Sequence, residues 1–148
     1  MEKIEIRTIS YSPGYGDMLG EYHEISLIKS GDGKWTYVGR SREDHMSPTT
    51  VSTYAVTEED AMRFFEFIIN KKVISLNERP ESDIFATDYS PWNWSIVYDA
   101  KSFGKQKRYY CSFGEYREYS KADHELLGEL EKRLYALRGE KISETVED

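Results

Sequence analysis

A single cysteine, Cys111, stands in the whole chain, so no intramolecular disulfide can form. An unpaired thiol in a chain of this size predicts a reducing compartment, and the cytoplasm is the expected location. Three histidines, His23, His45 and His124, are scattered, and no Cys/His cluster has metal-ligand spacing, so neither a metal nor a cofactor is expected. The amino terminus, MEKIEIRTIS, alternates charged and apolar residues and lacks the apolar run of a signal peptide. The longest apolar stretch, around Phe64–Asn70, is far too short to cross a bilayer, which excludes a membrane helix. No glycine-rich phosphate turn follows a strand, and strands do not alternate one-to-one with helices, so a doubly wound nucleotide-binding fold is not expected.

Aromatic residues, by contrast, make up 14% of the chain, with twelve tyrosines, although only 39% of all residues are hydrophobic. Disordered chains are poor in aromatics, so this composition predicts a folded domain with half-buried faces. A chain of 148 residues is close to the commonest domain size and buries enough surface to need no staple. Residues 1–138 are expected to form one domain, and 139–148 an acidic, frayed tail. That tail holds four acids against Lys141, so −3 of the net charge of −7 lies there and −4 on the rest. A mildly acidic body argues against non-specific nucleic-acid binding.

Period-two alternation marks strands at 3–9 (Ile4 and Ile6 inward), Tyr22–Lys29 (Ile25 and Leu27 inward), Lys34–Arg40 (Trp35 and Tyr37 sharing a face) and Thr49–Val56. Tyr11–Gly20, with Pro13, Gly14, Gly16 and Gly20, reads as a loop. Ser30-Gly31-Asp32-Gly33 is expected to be a tight hairpin with positive φ at its Asp-Gly pair. Thr57 is a natural N-cap, followed by three acids and by Ala61, Phe64, Phe65, Ile68 and Ile69 at helical spacing, so a helix should run to about Lys72. Further strands are predicted over Trp92–Asp99 and Lys107–Phe113. A second helix is capped by Ser120 and Asp123, carries Leu127, Leu130, Leu134 and Leu137, and is closed by Gly139. The expected fold is α+β: an antiparallel sheet made of two β-hairpin/helix rounds, with both helices on one face.

Candidate sites are few. Cys111 with His124 could form a nucleophile–base pair, but Cys111 shares its strand face with Tyr109 and Phe113, where a cysteine serves as a small hydrophobe. Glu43, Asp44 and His45 put two carboxylates beside an imidazole in the connection Ser41–Pro48. Asp83, Asp88 and Tyr89 lie in the irregular stretch Leu76–Pro91, without the spacing of a calcium loop. Asp17 sits in a glycine-rich loop that lacks the pattern of a phosphate cradle. Lys101, Phe103, Lys105, Lys107, Arg108, Tyr109 and Tyr110 form the one basic stretch interleaved with aromatics, a mix that can hold single-stranded nucleic acid or simply guard a sheet edge. Trp92 and Trp94 could line an aromatic groove, or both could pack beneath the second helix.

The sequence therefore points first to a non-enzymatic protein-interaction module, monomeric or homodimeric, of accessory or immunity type, with Trp92, Trp94, Tyr89, Asp88, Asp44 and His45 as its candidate binding residues. An enzyme or small-ligand binder using a cleft beside residues 76–91 is the alternative. Nucleic-acid binding through 101–110 ranks third.

Overall fold

The computed structural model describes residues 3–14, 22–44, 46–82 and 91–147. Among them one seven-stranded antiparallel sheet forms, with strands β1 (Ile4–Ser12), β2 (Tyr22–Lys29), β3 (Trp35–Arg42), β4 (Thr49–Val56), β5 (Asn93–Ser102), β6 (Lys105–Gly114) and β7 (Lys141–Glu147). Their order across the sheet is β6-β5-β1-β2-β3-β4-β7. Helix α1 (Glu58–Asn70) follows β4, a short 3-10 segment spans Val73–Glu78, and helix α2 (Lys121–Ala136) follows β6. The protein is thus mixed α+β and mostly sheet. No helix among the described residues is long and apolar enough to cross a membrane.

Alternation puts one side chain in two on the core face. Opposed pairs there run Ile9 to Leu27 and Ile96, Tyr11 to Ile25 and Trp94, Tyr37 to Leu27 and Tyr54, and Phe113 to Trp94. Ala61, Phe64, Phe65 and Ile68 of α1 and Leu127, Leu130 and Leu134 of α2 join the same cluster of buried residues. Aromatic stacking orders it: Tyr11 lies on Trp94 with ring centroids 4.1 Å apart, and Trp35 meets Phe65 edge-on at 4.8 Å. The opposite face carries small polar residues such as Ser10, Ser26, Ser95 and Ser112, placed there by the same registers.

Both caps form as the sequence predicts. The Thr57 side chain accepts the Asp60 amide, and Ser120 with Asp123 makes a reciprocal capping box. α1 stops at Asn70, two residues short of Lys72, and buries Phe67 rather than Ile69, because Arg133 of α2 lies over the Phe67 ring at 4.3 Å.

Three other expectations are corrected. β1 runs on through Tyr11 and Ser12 because a bulge between Ile6 and Thr8 returns Ile9 and Tyr11 to the core face. The Ser30–Lys34 connection is a wider turn, with positive φ at Gly33 alone and the Ser30 amide donating to the Lys34 carbonyl at 2.8 Å. The two-residue turn with both positions at positive φ occurs instead at Phe103 and Gly104, joining β5 to β6.

The carboxy-terminal residues do not fray: Lys141–Glu147 form β7, paired with β4 from Thr49–Glu147 to Tyr54–Lys141. The cause lies upstream. α2 leaves β6 at one edge, and its sixteen residues span about 24 Å. Six strand spacings need about 29 Å, so the helix together with the connecting residues 115–120 and 137–140 carries the chain to the far edge. Arg138 rests on the Tyr54 ring, and the Gly139 amide donates to the Ala55 carbonyl. A Cβ on residue 139 would fall 2.5 Å from that oxygen, so only glycine fits this junction.

Candidate functional site

The ends of the strands set where a site can form. β1 ends, β2 begins, β3 ends, β4 begins, β5 begins and β6 ends at one end of the sheet, as their registers require. The connections that the sequence marks as irregular, Ser41–Pro48 and Leu76–Pro91, lead into β4 and β5, which both begin at this end. β5 and β3 are three positions apart in the sheet, about 14 Å.

The larger cleft, of about 510 Å³, lies where β5 begins and β6 ends. Pro91, Trp92, Phe113 and Tyr116 contribute to its walls, with Glu81 and Arg117 among its charged groups. Its shape depends on Gly114: a Cβ there would sit 2.8 Å from Asn93 Oδ1 and 2.9 Å from the Trp92 carbonyl. Trp92 is half-buried, its ring backed by Tyr119 at 5.7 Å. Tyr119 in turn donates its hydroxyl to the Gly114 carbonyl at 2.6 Å and meets His124 edge-on. Burial pushes the Tyr119 hydroxyl up to about 12, so it stays a donor at neutral pH.

Ion pairs fix the far wall. Asp123 receives Arg79 Nε at 2.9 Å and Nη2 at 3.2 Å, and Arg79 also keeps its carbonyl on Arg117 Nη1 at 2.7 Å. The Arg79 guanidinium holds the Asp123 carboxyl below its ordinary range. The loop at Glu81 bridges to Arg117, and the Ser82 amide donates to the Tyr116 carbonyl at 2.6 Å. This brace links the 3-10 segment, the exit of β6 and the start of α2.

A second cleft, of about 450 Å³, takes in His23, Arg42 and Glu43 beside the β3–β4 connection. Asp44 is engaged structurally, its Oδ1 accepting the Met46 and Ser47 amides, both at 2.8 Å, and the Ser47 hydroxyl at 3.0 Å. That is a side-chain cap on a turn. Among the six predicted binding residues, Trp92 lines the first cleft and Asp44 shapes the turn. Trp94 is core, 1% exposed between Tyr11 and Phe113. Asp88, Tyr89 and His45 lie outside the described residues, as do Asp83 and Asp17.

Cys111 is buried, with its thiol 3.5 Å from the Ile74 carbonyl and pushed up to about 11 by desolvation. That suits a small hydrophobe rather than a nucleophile. Among the described residues no group of three or more His, Cys, Asp and Glu side chains is placed to hold a metal ion. Arg117, Tyr116 and Tyr119 were missed in the sequence; the clue available was their dense aromatic–basic spacing just before the Ser120 cap. The chain matches no protein-family model, no curated protein and no solved structure.

Proposed function

We propose that the protein is a non-enzymatic interaction module that grips a partner protein in the cleft beside Trp92. The observation that carries this reading is the cleft itself: a half-exposed tryptophan, rigidly backed by Tyr119, in a concavity walled by Pro91, Phe113 and Tyr116. A large ring held in one rotamer loses little entropy on binding and gains much buried apolar area, which is why tryptophan and tyrosine dominate interface energetics. Glu81 and Arg117 on the wall supply charges of both signs, suited to orienting a partner. The partner is another polypeptide, and the protein acts as a monomer or homodimer in the cytoplasm.

The test is proximity cross-linking in the native host, comparing the wild type with Trp92→Ala and with Tyr110→Ala, an exposed ring of β6 outside the cleft lining. A partner lost in the first variant and retained in the second supports the reading. Equal recovery in both sinks it.

A small-ligand or enzymatic reading of the same cleft is favoured by one feature, its volume, which falls in the range of small-molecule sites. Saturable quenching of Trp92 fluorescence by a low-molecular-weight fraction of the lysate would move the assignment there.

A further inference from the structure

The helix-bearing face of the sheet has a gap in it. Leu27, Tyr37 and Tyr54 stand opposite one another across β2, β3 and β4, and the next row along is Ile25, Gly39 and Ser52. The pairing of these three strands runs without a bulge, so both rows share one face. Gly39 is the position there without a side chain. The backbone does not call for it, since its φ is not positive, and a Cβ would meet no atom within 4 Å. A glycine inside a strand weakens it, and one that neither conformation nor crowding requires marks a place kept open for something to approach.

The end of α2 turns this gap into a cleft. Tyr135 and Arg138 line it together with Tyr37, Gly39 and Tyr54, around a volume of about 290 Å³. Its walls are held by ring contacts. Tyr37 meets Tyr54 edge-on at 5.7 Å, Arg138 lies over the Tyr54 ring at 5.2 Å, and Tyr135 meets Tyr11 edge-on at 6.5 Å. The cleft beside the β3–β4 connection shares His23 and Ser41 with it, so the two adjoin. It has no lining residue in common with the cleft at Trp92.

Two polar groups in this cleft lack partners. Tyr37 is 4% exposed, yet its hydroxyl makes no hydrogen bond among the described residues. No side-chain N or O atom sealed from solvent is left unpaired among those residues, so this hydroxyl opens onto the cleft. Burial pushes it up to about 12, against the pull of the nearby Arg138 charge, so it is a donor at neutral pH. Whereas Arg7 and Arg108 both donate to Asp99, the Arg138 guanidinium makes neither an ion pair nor a hydrogen bond among the described residues. A buried donor without an acceptor is costly, and a ligand that supplies one recovers that cost.

We propose that this cleft binds a small aromatic carboxylate, with its carboxylate on Arg138 and the Tyr37 hydroxyl and its ring over Gly39. The charge of the walls sets the class of anion. Glu24 and Arg40 face each other at 4.0 Å on the other face of the sheet, which leaves Arg138 as the remaining cation of the lining. One guanidinium fork matches one planar carboxylate, whereas a phosphate dianion calls for more donors of positive charge. Ile25 and the rings of Tyr37, Tyr54 and Tyr135 suit an apolar body, and the volume suits a single ring.

Titration of the isotope-labelled full chain with benzoate, read at the Gly39 and Ser41 amides and at Arg138 Nε–H, tests the site. Saturable shifts are expected, with acetate binding about tenfold more weakly and benzylammonium not at all. Arg138→Met should weaken benzoate binding by about tenfold or more. Tyr37→Phe removes a hydroxyl that bonds to nothing in the described chain, so the fold should keep its stability while binding weakens about fivefold or more. Gly39→Ala adds a methyl where the fold has room for it. Its urea midpoint should be unchanged or higher, and its benzoate binding weaker by about fivefold or more.

Shifts that fail to saturate, that acetate or benzylammonium reproduces at equal concentration, or that persist unchanged in both Tyr37→Phe and Gly39→Ala overturn the proposal. So does inorganic phosphate binding more tightly than benzoate, which would make the cleft an oxyanion site without a place for the ring.

Discussion

Phe103 shows how much a single position can cost. It sits at φ 53°, in a region that bulky side chains avoid, and its ring is fully exposed, so no packing offsets the strain. Phe103→Asn should stabilise the protein by about 1 kcal/mol, measured as a rise in the urea midpoint at unchanged slope. The two tryptophans that the sequence could not separate differ in the same assay. Trp94→Ala removes a ring stacked between Tyr11 and Phe113 and should cost about 3–5 kcal/mol. Trp92→Ala, at the cleft, should cost less than half as much. Alternation groups Trp92 with Trp94, but β5 begins only at Asn93, and the residue before a strand is free of its pleat. Asp44 teaches a similar lesson beside Asp123, which the sequence already reads as a helix cap. Asp44 looks like candidate chemistry in sequence, yet both serve the backbone, one capping a turn and the other a helix.

At the scale of elements, the strands and both helices were legible because their periods and caps are local properties of the chain. β4 and the caps of α1 and α2 fall where Thr49–Val56, Thr57 and Ser120 predict. β7 was not legible. Its residues KISETVE are all exposed, and an acidic stretch without a buried face gives no periodic signal. Its existence depends on where α2 ends, which is a tertiary fact. Likewise the cleft at Trp92 joins residues from Glu81 to Arg117, and the Arg7–Asp99–Arg108 cluster spans 92 residues from Arg7 to Asp99; no spacing rule reaches that far. Gly139→Ala should dislodge β7, because the new methyl would collide with the Ala55 carbonyl. Faster amide exchange across Thr49–Ala55, with the exchange of β1 and β5 unchanged, is the expected result.

For the whole molecule, titration bounds the stable range on both sides. The Arg108 and Arg7 guanidiniums hold Asp99 well below the carboxylate range, and Arg79 lowers Asp123. A depressed acid stabilises the fold above its unfolded value, about 3.9, and that contribution is lost as pH falls through the folded value. Cys111, pushed up to about 11, and Tyr37 and Tyr119, each pushed up to about 12, act in the opposite direction. Their contribution is whole below the ordinary thiol and phenol values and falls as pH rises towards these limits. Melting temperature should therefore be flat from about pH 5 to 8 and drop on either side. Charge is divided as unevenly as titration: the β5–β6 hairpin is basic on an otherwise acidic body. The path of α2 also sets an order of assembly. β4 pairs with a strand about 90 residues further along, after the helix has crossed the sheet, and such distant contacts close late. Until Lys141–Glu147 arrive, Thr49–Val56, a run rich in β-branched residues with no charge, is an open template for another chain. A copy shortened before Lys141, or one still being synthesised, should cluster with its neighbours through that edge, and the last strand then serves as the protein's own guard against self-association.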